Sequence, residues 1–243
     1  MISVDRLLYK IDQRLNKLSS NAHQQIQLED KILALNEAQI VLIKQKIDGM
    51  GSPNGMGLDA FKKRYEDLQG LIINYDKQPL DLTSTNIKLN EYSAQLSTLS
   101  PSYFLYLDGY LLADKGECKN REVWLNPDLI KHGGLQFVLT NEHLKPSFEY
   151  QETCCSISSG YISVYTDGTF TPTKLYLMYI KYPTKINKAG YVDFDGSNSN
   201  DVNCELPESV EDELLNLAVE HLAINTENAS AIQGSQVRIA TQE

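Results

Sequence analysis

The chain has 243 residues, is 42% hydrophobic and 22% charged, and carries a formal net charge of −10. That length buries a core large enough to need no disulfide or metal staples, and the acidic balance excludes nucleic-acid binding by broad phosphate neutralisation, although DNA can still slide past an acidic wall. No run approaches the ~18–20 apolar residues of a membrane span, and residues 1–4 lack the basic start and apolar core of a signal peptide. The chain is therefore expected to stay in the cytoplasm of the cell that makes it, unless an assembly carries it out.

The first forty-seven residues predict two helices. Ser3 caps the first, along which Val4, Leu7, Leu8, Ile11, Leu15 and Leu18 form an apolar stripe at helical spacing, and Ser19, Ser20 and Asn21 break it. The second runs over about 24–47, with Leu28, Ile32, Leu35 or Asn36, Gln39 or Ile40, Ile43 and Ile47 along one side. A stripe that wide implies more than one neighbour. The run GMGSPNGMG at 49–57 is a glycine-punctuated loop; it has neither the Lys-Ser/Thr pair nor the preceding strand of a phosphate-binding P-loop. A third helix follows, through Leu58, Phe61, Tyr65, Leu68 and Ile72, with Asp59 near its start, and Pro79 ends the region.

From residue 103 to 182 the period becomes alternating. Short runs at 103–107, 110–113, 122–125, 135–139, 153–158, 161–165 and 175–182 are rich in aromatic and β-branched residues, and Ser159-Gly160 and Asp167-Gly168 are tight-turn signals. Strands without interleaved helices predict an antiparallel sandwich or small barrel. The stretch DFDGSNSND at 193–201 reads as a solvated linker. It lacks an EF-hand's spacing, since Gly196 is fourth from Asp193 and the twelfth position is Cys204 rather than Glu.

A last helix follows. Pro207 suits its first position, Glu208, Glu211, Asp212 and Glu213 load its N-terminus with favourable negative charge, and Val210, Leu214, Leu217, Ala218 and Leu222 share a face. Such a helix cannot cover its own apolar face, so it should pack on the N-terminal helices and leave the β region as an insertion. The fold expected is α+β: an N-terminal helical region over 1–100, an inserted antiparallel β domain over 101–192, a linker and C-terminal helix over 193–225 completing the helical body, and an extended tail over 226–243.

No catalytic, cofactor or metal site is expected. Cys118, Cys154, Cys155 and Cys204 are too few and too irregular for a disulfide framework, and adjacent Cys154 and Cys155 point to opposite faces of a strand. His23, His132, His143 and His221 show no ligand spacing, and His221 reads as a packed or half-exposed residue of the last helix. GxSxG is absent, and the paired carboxylates sit at helix starts, where the dipole explains them. The fourteen tyrosines and six phenylalanines lie mostly in strand patterns without flanking Lys or Arg, which favours packing over base stacking.

The strings LNEAQ at 35–39, DLQ at 67–69, KPSFEYQET at 145–153, YIKYP at 179–183 and CELPES at 204–209 resemble structural proteins of tailed bacteriophages of Bacteroides-type hosts, most of all the crAss-like phages. The likeness runs from about Ala34 to Ile224. It implies a head-to-tail connector component: a ring or adaptor protein below the portal, with a helical body and a C-terminal extension that docks on the portal or a neighbouring subunit. The ring would be homo-oligomeric, typically dodecameric, and would meet the portal and other tail ring proteins. It would line a channel that passes genomic DNA without sequence-specific binding and would reside in the virion. A net-negative wall suits that role because it repels phosphate. On this resemblance the tail binds the neighbour or portal, with Thr226, Ile232, Val237, Arg238 and Ile239 as contact residues. Two alternatives stand beside it. One is a tail-associated carbohydrate or host-binding module, whose sign would be clustered exposed Trp and Tyr, and Trp124 is the single tryptophan. The other is a virion-associated hydrolase, which needs a convergent acid, nucleophile or metal set.

Overall fold

A computed structural model describes residues 1–18, 26–48, 62–75, 79–85, 90–116, 122–191 and 198–225. These hold five α-helices and nine strands, an α+β fold. The helices are α1 (Val4–Leu18), α2 (Leu28–Asp48), α3 (Lys62–Leu68), α4 (His132–Thr140) and α5 (Glu211–Asn225). The strands are β1 (Ile72–Ile73), β2 (Leu80–Asp81), β3 (Thr83–Ser84), β4 (Glu91–Gln95), β5 (Tyr103–Asp114), β6 (Glu122–Leu129), β7 (Glu152–Ser158), β8 (Tyr161–Tyr165) and β9 (Thr171–Lys181). None of the described helices is long and apolar enough to cross a membrane. The glycine loop at 49–57, most of the 193–201 linker, Cys118 and the tail at 226–243 lie outside the described residues.

Two compact units divide the chain: a helical unit of Met1–Leu71 with Pro183–Glu243, and a β unit of Ile72–Tyr182. The β unit thus begins at Ile72 rather than at residue 101, and ends at Tyr182 rather than 192. The reason is local. Tyr65 and Leu68 do lie on a helix, but a single 3₁₀ turn, Gln69–Leu71, ends it, and Ile72 and Ile73 pair with β9 instead of continuing the helix.

In the helical unit, Val4, Leu7, Ile11 and Leu15 are buried as the α1 stripe requires. On α2 the buried set is Ile32, Ala34, Leu35, Ala38, Gln39, Leu42 and Ile43, wider than one stripe. Helix α5 packs on both α2 and α1. It is buried almost all round, with Leu214, Leu215, Asn216, Leu217, Ala218, Val219, Leu222 and Ala223 withdrawn from water. Each large apolar side chain among them contributes about 1.5–3 kcal/mol relative to exposure. Pro207 lies one step further out than expected: it precedes a 3₁₀ turn, Glu208–Val210, that leads into α5. Ile2 exchanges both backbone hydrogen bonds with Cys204 at 3.0 Å, and the Asn203 Oδ1 accepts the Val4 N–H at 3.1 Å, so the segment entering α5 also caps α1. Asn36 clasps the returning chain, donating to the Ile186 carbonyl at 2.9 Å and accepting its N–H at 2.8 Å.

In the β unit the strand order is β1-β9-β5-β6-β7-β8-β4-β3, with β2 also on β9, and the sheet curls into a half-barrel. The segment 80–84 draws the two flanks together, because Leu80 and Asp81 pair with β9 while Thr83 and Ser84 pair with β4. The sheet is mixed rather than wholly antiparallel. Residues 135–139 form part of α4, not a strand, and α4 carries the chain over so that β7 runs parallel to β6. This is the connection a parallel pair demands. Strand β6 changes partner along its length, Leu125 lying opposite Leu111 of β5 and Pro127 opposite Thr153 of β7. At that crossing a side chain on Gly109 would be tight: a Cβ there would stand 3.2 Å from the Pro127 ring and 3.1 Å from the Tyr106 hydroxyl, so these neighbours would have to shift. The core inside the curl gathers Leu111, Ala113, Leu125, Ile162, Val164, Leu175 and Leu177. Adjacent Cys155 and Cys154 point to opposite faces as expected, the first into this core and the second into a smaller one beneath Leu135 of α4.

Candidate functional site: an exposed aromatic face on the β unit

Side chains alternate along a strand, and directly opposed residues share a face. With Leu111, Ala113, Leu125 and Leu175 inside, the register sends Leu112, Trp124 and Lys174 outward together, since Leu112 lies opposite both of the others. Tyr110 and Tyr176 are also opposed, one pair along. The result is a run of rings on the outer face. Tyr75 stands 4.6 Å from Tyr110 between centroids, Tyr110 stands 6.4 Å from Trp124, and Trp124 stands 5.2 Å from Tyr176. Trp124 is 52% exposed and Tyr110 40%, although each is large enough to fill a core position. The planes are inclined by 54°, 85° and 56°, so the rings enclose angles rather than forming a flat plate.

Hydrogen bonds fix one end of the run. The Tyr75 hydroxyl donates to Asp108 Oδ2 at 2.6 Å, and Asp108 Oδ1 accepts the Gly109 N–H at 2.8 Å. Burial, with Asp108 beside it, pushes the Tyr75 phenol well above its ordinary range and keeps it a donor. At the other end, Asp114 of β5 lies directly opposite Glu122 of β6, and its Oδ1 is buried without a hydrogen-bond partner. Asp81 of β2 lies opposite Lys174.

A second cluster sits at the start of α5, where Glu208 and Asp212 are exposed as expected but Glu211 is not. The Glu211 side chain is only 4% exposed, and it takes Arg6 at 2.6 Å and Lys10 at 2.9 Å. Glu208 also meets Arg6, and Asp212 takes Arg14 at 2.5 Å, while Arg14 also donates to Asn216. Lys46 of α2 bridges Glu213 at 2.5 Å and buried Asp67 at 3.3 Å, and the Ser209 hydroxyl donates to Asp67 at 2.8 Å. These carboxylates bind α5 to α1, α2 and α3, which makes them structural. His221 is half-buried, with Nδ1 at 3.3 Å from Glu37.

The contact residues expected in the tail, Thr226, Ile232, Val237, Arg238 and Ile239, lie outside the described residues. The aromatic face was missed from sequence because its members are widely separated, and only the pairing of β5, β6 and β9 brings them together; the alternation in each strand was the available signal. Among the described residues no group of three or more His, Cys, Asp or Glu is placed to hold a metal ion. Asp201 of the linker is engaged by its own chain, accepting the Ala189 N–H at 2.7 Å and Lys188 at 3.1 Å. No protein-family model matches the chain, and no curated protein matches it, so the functional reading rests on these residues.

Proposed function

We propose that the chain is a virion structural protein, a subunit of the head-to-tail connector ring below the portal of a tailed bacteriophage. The observation that carries the reading is the clasp at α5. Residues from both ends of the chain build one helical unit, and the ion pairs of Arg6, Lys10, Arg14 and Lys46 fasten α5 to it. The segment that follows α5 in the chain therefore continues from a helix held on its own unit, as a docking arm requires. In this reading residues 226–243 bind the portal or an adjacent subunit, repeated heterologous contacts close a ring that is dodecameric in this class, and the surplus negative charge lets duplex DNA pass. The aromatic face of the β unit is left for other tail proteins.

Electron microscopy of the purified chain mixed with its portal tests this directly, rings docked on the portal being the expected result. Removing residues 226–243 should leave a folded protein, as cooperative thermal unfolding would show, and abolish ring formation. Rings that form equally well without those residues would overturn the docking assignment.

A further inference from the structure

We propose that the aromatic face of the β unit binds a basic protein segment, receiving an arginine or lysine side chain among Tyr75, Tyr110, Trp124 and Tyr176. The inference goes beyond the connector reading and stands on the β unit alone.

Three observations select a cation. The first is the rings themselves: they are inclined at 54°, 85° and 56° rather than coplanar, Trp124 is 52% and Tyr110 40% exposed, and the open face of an aromatic ring attracts cations through its quadrupole. A sugar chain lying flat, or a second apolar sheet, would call for rings closer to one plane. The second is the frame: Asp81, Asp108, Asp114 and Glu122 border the rings, and Lys174 is the one ammonium on this face among the described residues. A rim with that excess of carboxylate complements a positive partner and opposes an acidic one. The third is a cost left standing in the free protein. Asp114 and Glu122 are directly opposed across β5 and β6, an arrangement of like charges that destabilises a sheet, and a buried oxygen of Asp114 has no donor. A guanidinium seated against exposed Glu122 offsets the repulsion between the two carboxylates.

Trp124, as the only tryptophan, reports its own site. The test is a fluorescence titration of the full chain at low salt with three probes: an acetylated, amidated Gly-Arg-Gly-Arg-Gly peptide, the same peptide with citrulline for arginine, and cellohexaose. The arginine peptide should change Trp124 emission saturably, and the neutral citrulline peptide should bind about tenfold more weakly or not at all. Glu122→Gln should weaken the arginine peptide by about threefold, whereas Asp30→Asn, the same charge change on exposed Asp30 of α2, should leave it unaltered. Tyr110→Leu, which retains the reporter, should also weaken it. Equal binding of the arginine and citrulline peptides, equal weakening by Glu122→Gln and Asp30→Asn, no response to the arginine peptide, or a response to cellohexaose alone would each overturn the proposal. The last of these would assign the face to a glycan.

Discussion

The helical unit and the β unit use polar and aromatic chemistry in opposite directions. In the helical unit, charge is turned inward: Glu211 and Asp67 are almost fully buried, and the cations that meet them come from α1 and α2. In the β unit, part of the aromatic mass is turned outward, with Trp124 and Tyr110 exposed, while Phe170 and Tyr179 join the aliphatic residues that fill the curl. Salt bridges between distant segments specify which helices meet, at a desolvation cost, whereas exposed rings leave part of their apolar surface in water. The difference teaches where each unit's chemistry is directed: inward, to joining distant segments of the chain, in one, and toward the surface in the other.

The largest effects come from the two cores. Leu215→Ala in α5 and Leu111→Ala in β5 both remove fully buried side chains, and each should destabilise its own unit by about 3 kcal/mol. Ellipticity at 222 nm follows mainly the helices, and Trp124 emission follows the β unit. Leu215→Ala should therefore shift the first transition more than the second, and Leu111→Ala the reverse. Coincident shifts of both probes in both variants would break the comparison. Next, Lys46→Met leaves Asp67 buried with only Ser209 as a partner and should cost about 3 kcal/mol in urea unfolding. A loss below ~0.5 kcal/mol, the scale of an ordinary surface change, would mean that the inward charge of the helical unit does not hold it together.

Much of the helical unit was legible because periodicity and capping are local signals. The stripe on α1, the acidic start of α5 and the need of α5 for a partner could all be read from the residues within each segment. What local signals could not supply was the partner of each charge, since Arg6, Lys10 and Arg14 meet α5 across nearly the whole chain. The β unit was legible as strands but not as a sheet. Its first strands, Ile72–Ile73, Leu80–Asp81, Thr83–Ser84 and Glu91–Gln95, are too short or too polar to alternate visibly, so 72–100 was assigned to the helical region. Residues 135–139 are apolar apart from Gln136, a run so short that it fits a strand or a helix equally; the crossover to a parallel strand decides for the helix. The aromatic face was invisible because it is a property of register.

The thiols give an effect of middle size in which the two units should behave alike. Burial pushes Cys154 up to about 11 and Cys155 up to about 12 in the β unit, and Cys204 up to about 11 in the helical unit, from an ordinary value of 9.0. Below pH 9 the thiol is protonated in both states, and its burial is fully stabilising. Above that the unfolded thiol ionises while the folded one does not, so stability falls as pH rises from 9 toward 11 to 12, by about 1.4 kcal/mol per thiol per pH unit. Unfolding free energies measured between pH 8 and 10.5 should fall accordingly. At pH 8.5 iodoacetamide should leave these three cysteines unmodified in the native protein and label them in urea. Labelling of native Cys154 at that pH would show the cover of α4 to be open, and labelling of Cys155 would show the core of the curl to be open.

The smallest effect sharpens what the clasp does, because Arg6 meets two carboxylates in different surroundings. The Glu208 side chain is 66% exposed and that of Glu211 is 4% exposed, yet Gln at either position removes one negative charge from the same end of α5. If the charges acted only on the helix dipole, the two substitutions would cost about the same few tenths of a kcal/mol. The geometry assigns them unequal weight. Glu208→Gln exchanges a solvated ion pair for a solvated amide and should change stability by no more than ~0.5 kcal/mol, with that difference vanishing in 1 M salt. Glu211→Gln strips the shared negative charge from Arg6 and Lys10, but both cations are partly exposed and water can still reach them, so about 1 kcal/mol is expected rather than the loss predicted for Lys46→Met. The Glu211 loss should persist in high salt. Equal, salt-sensitive losses at both positions would return the acidic start of α5 to a dipole effect and remove the ion pairs from the account of how the helical unit is joined.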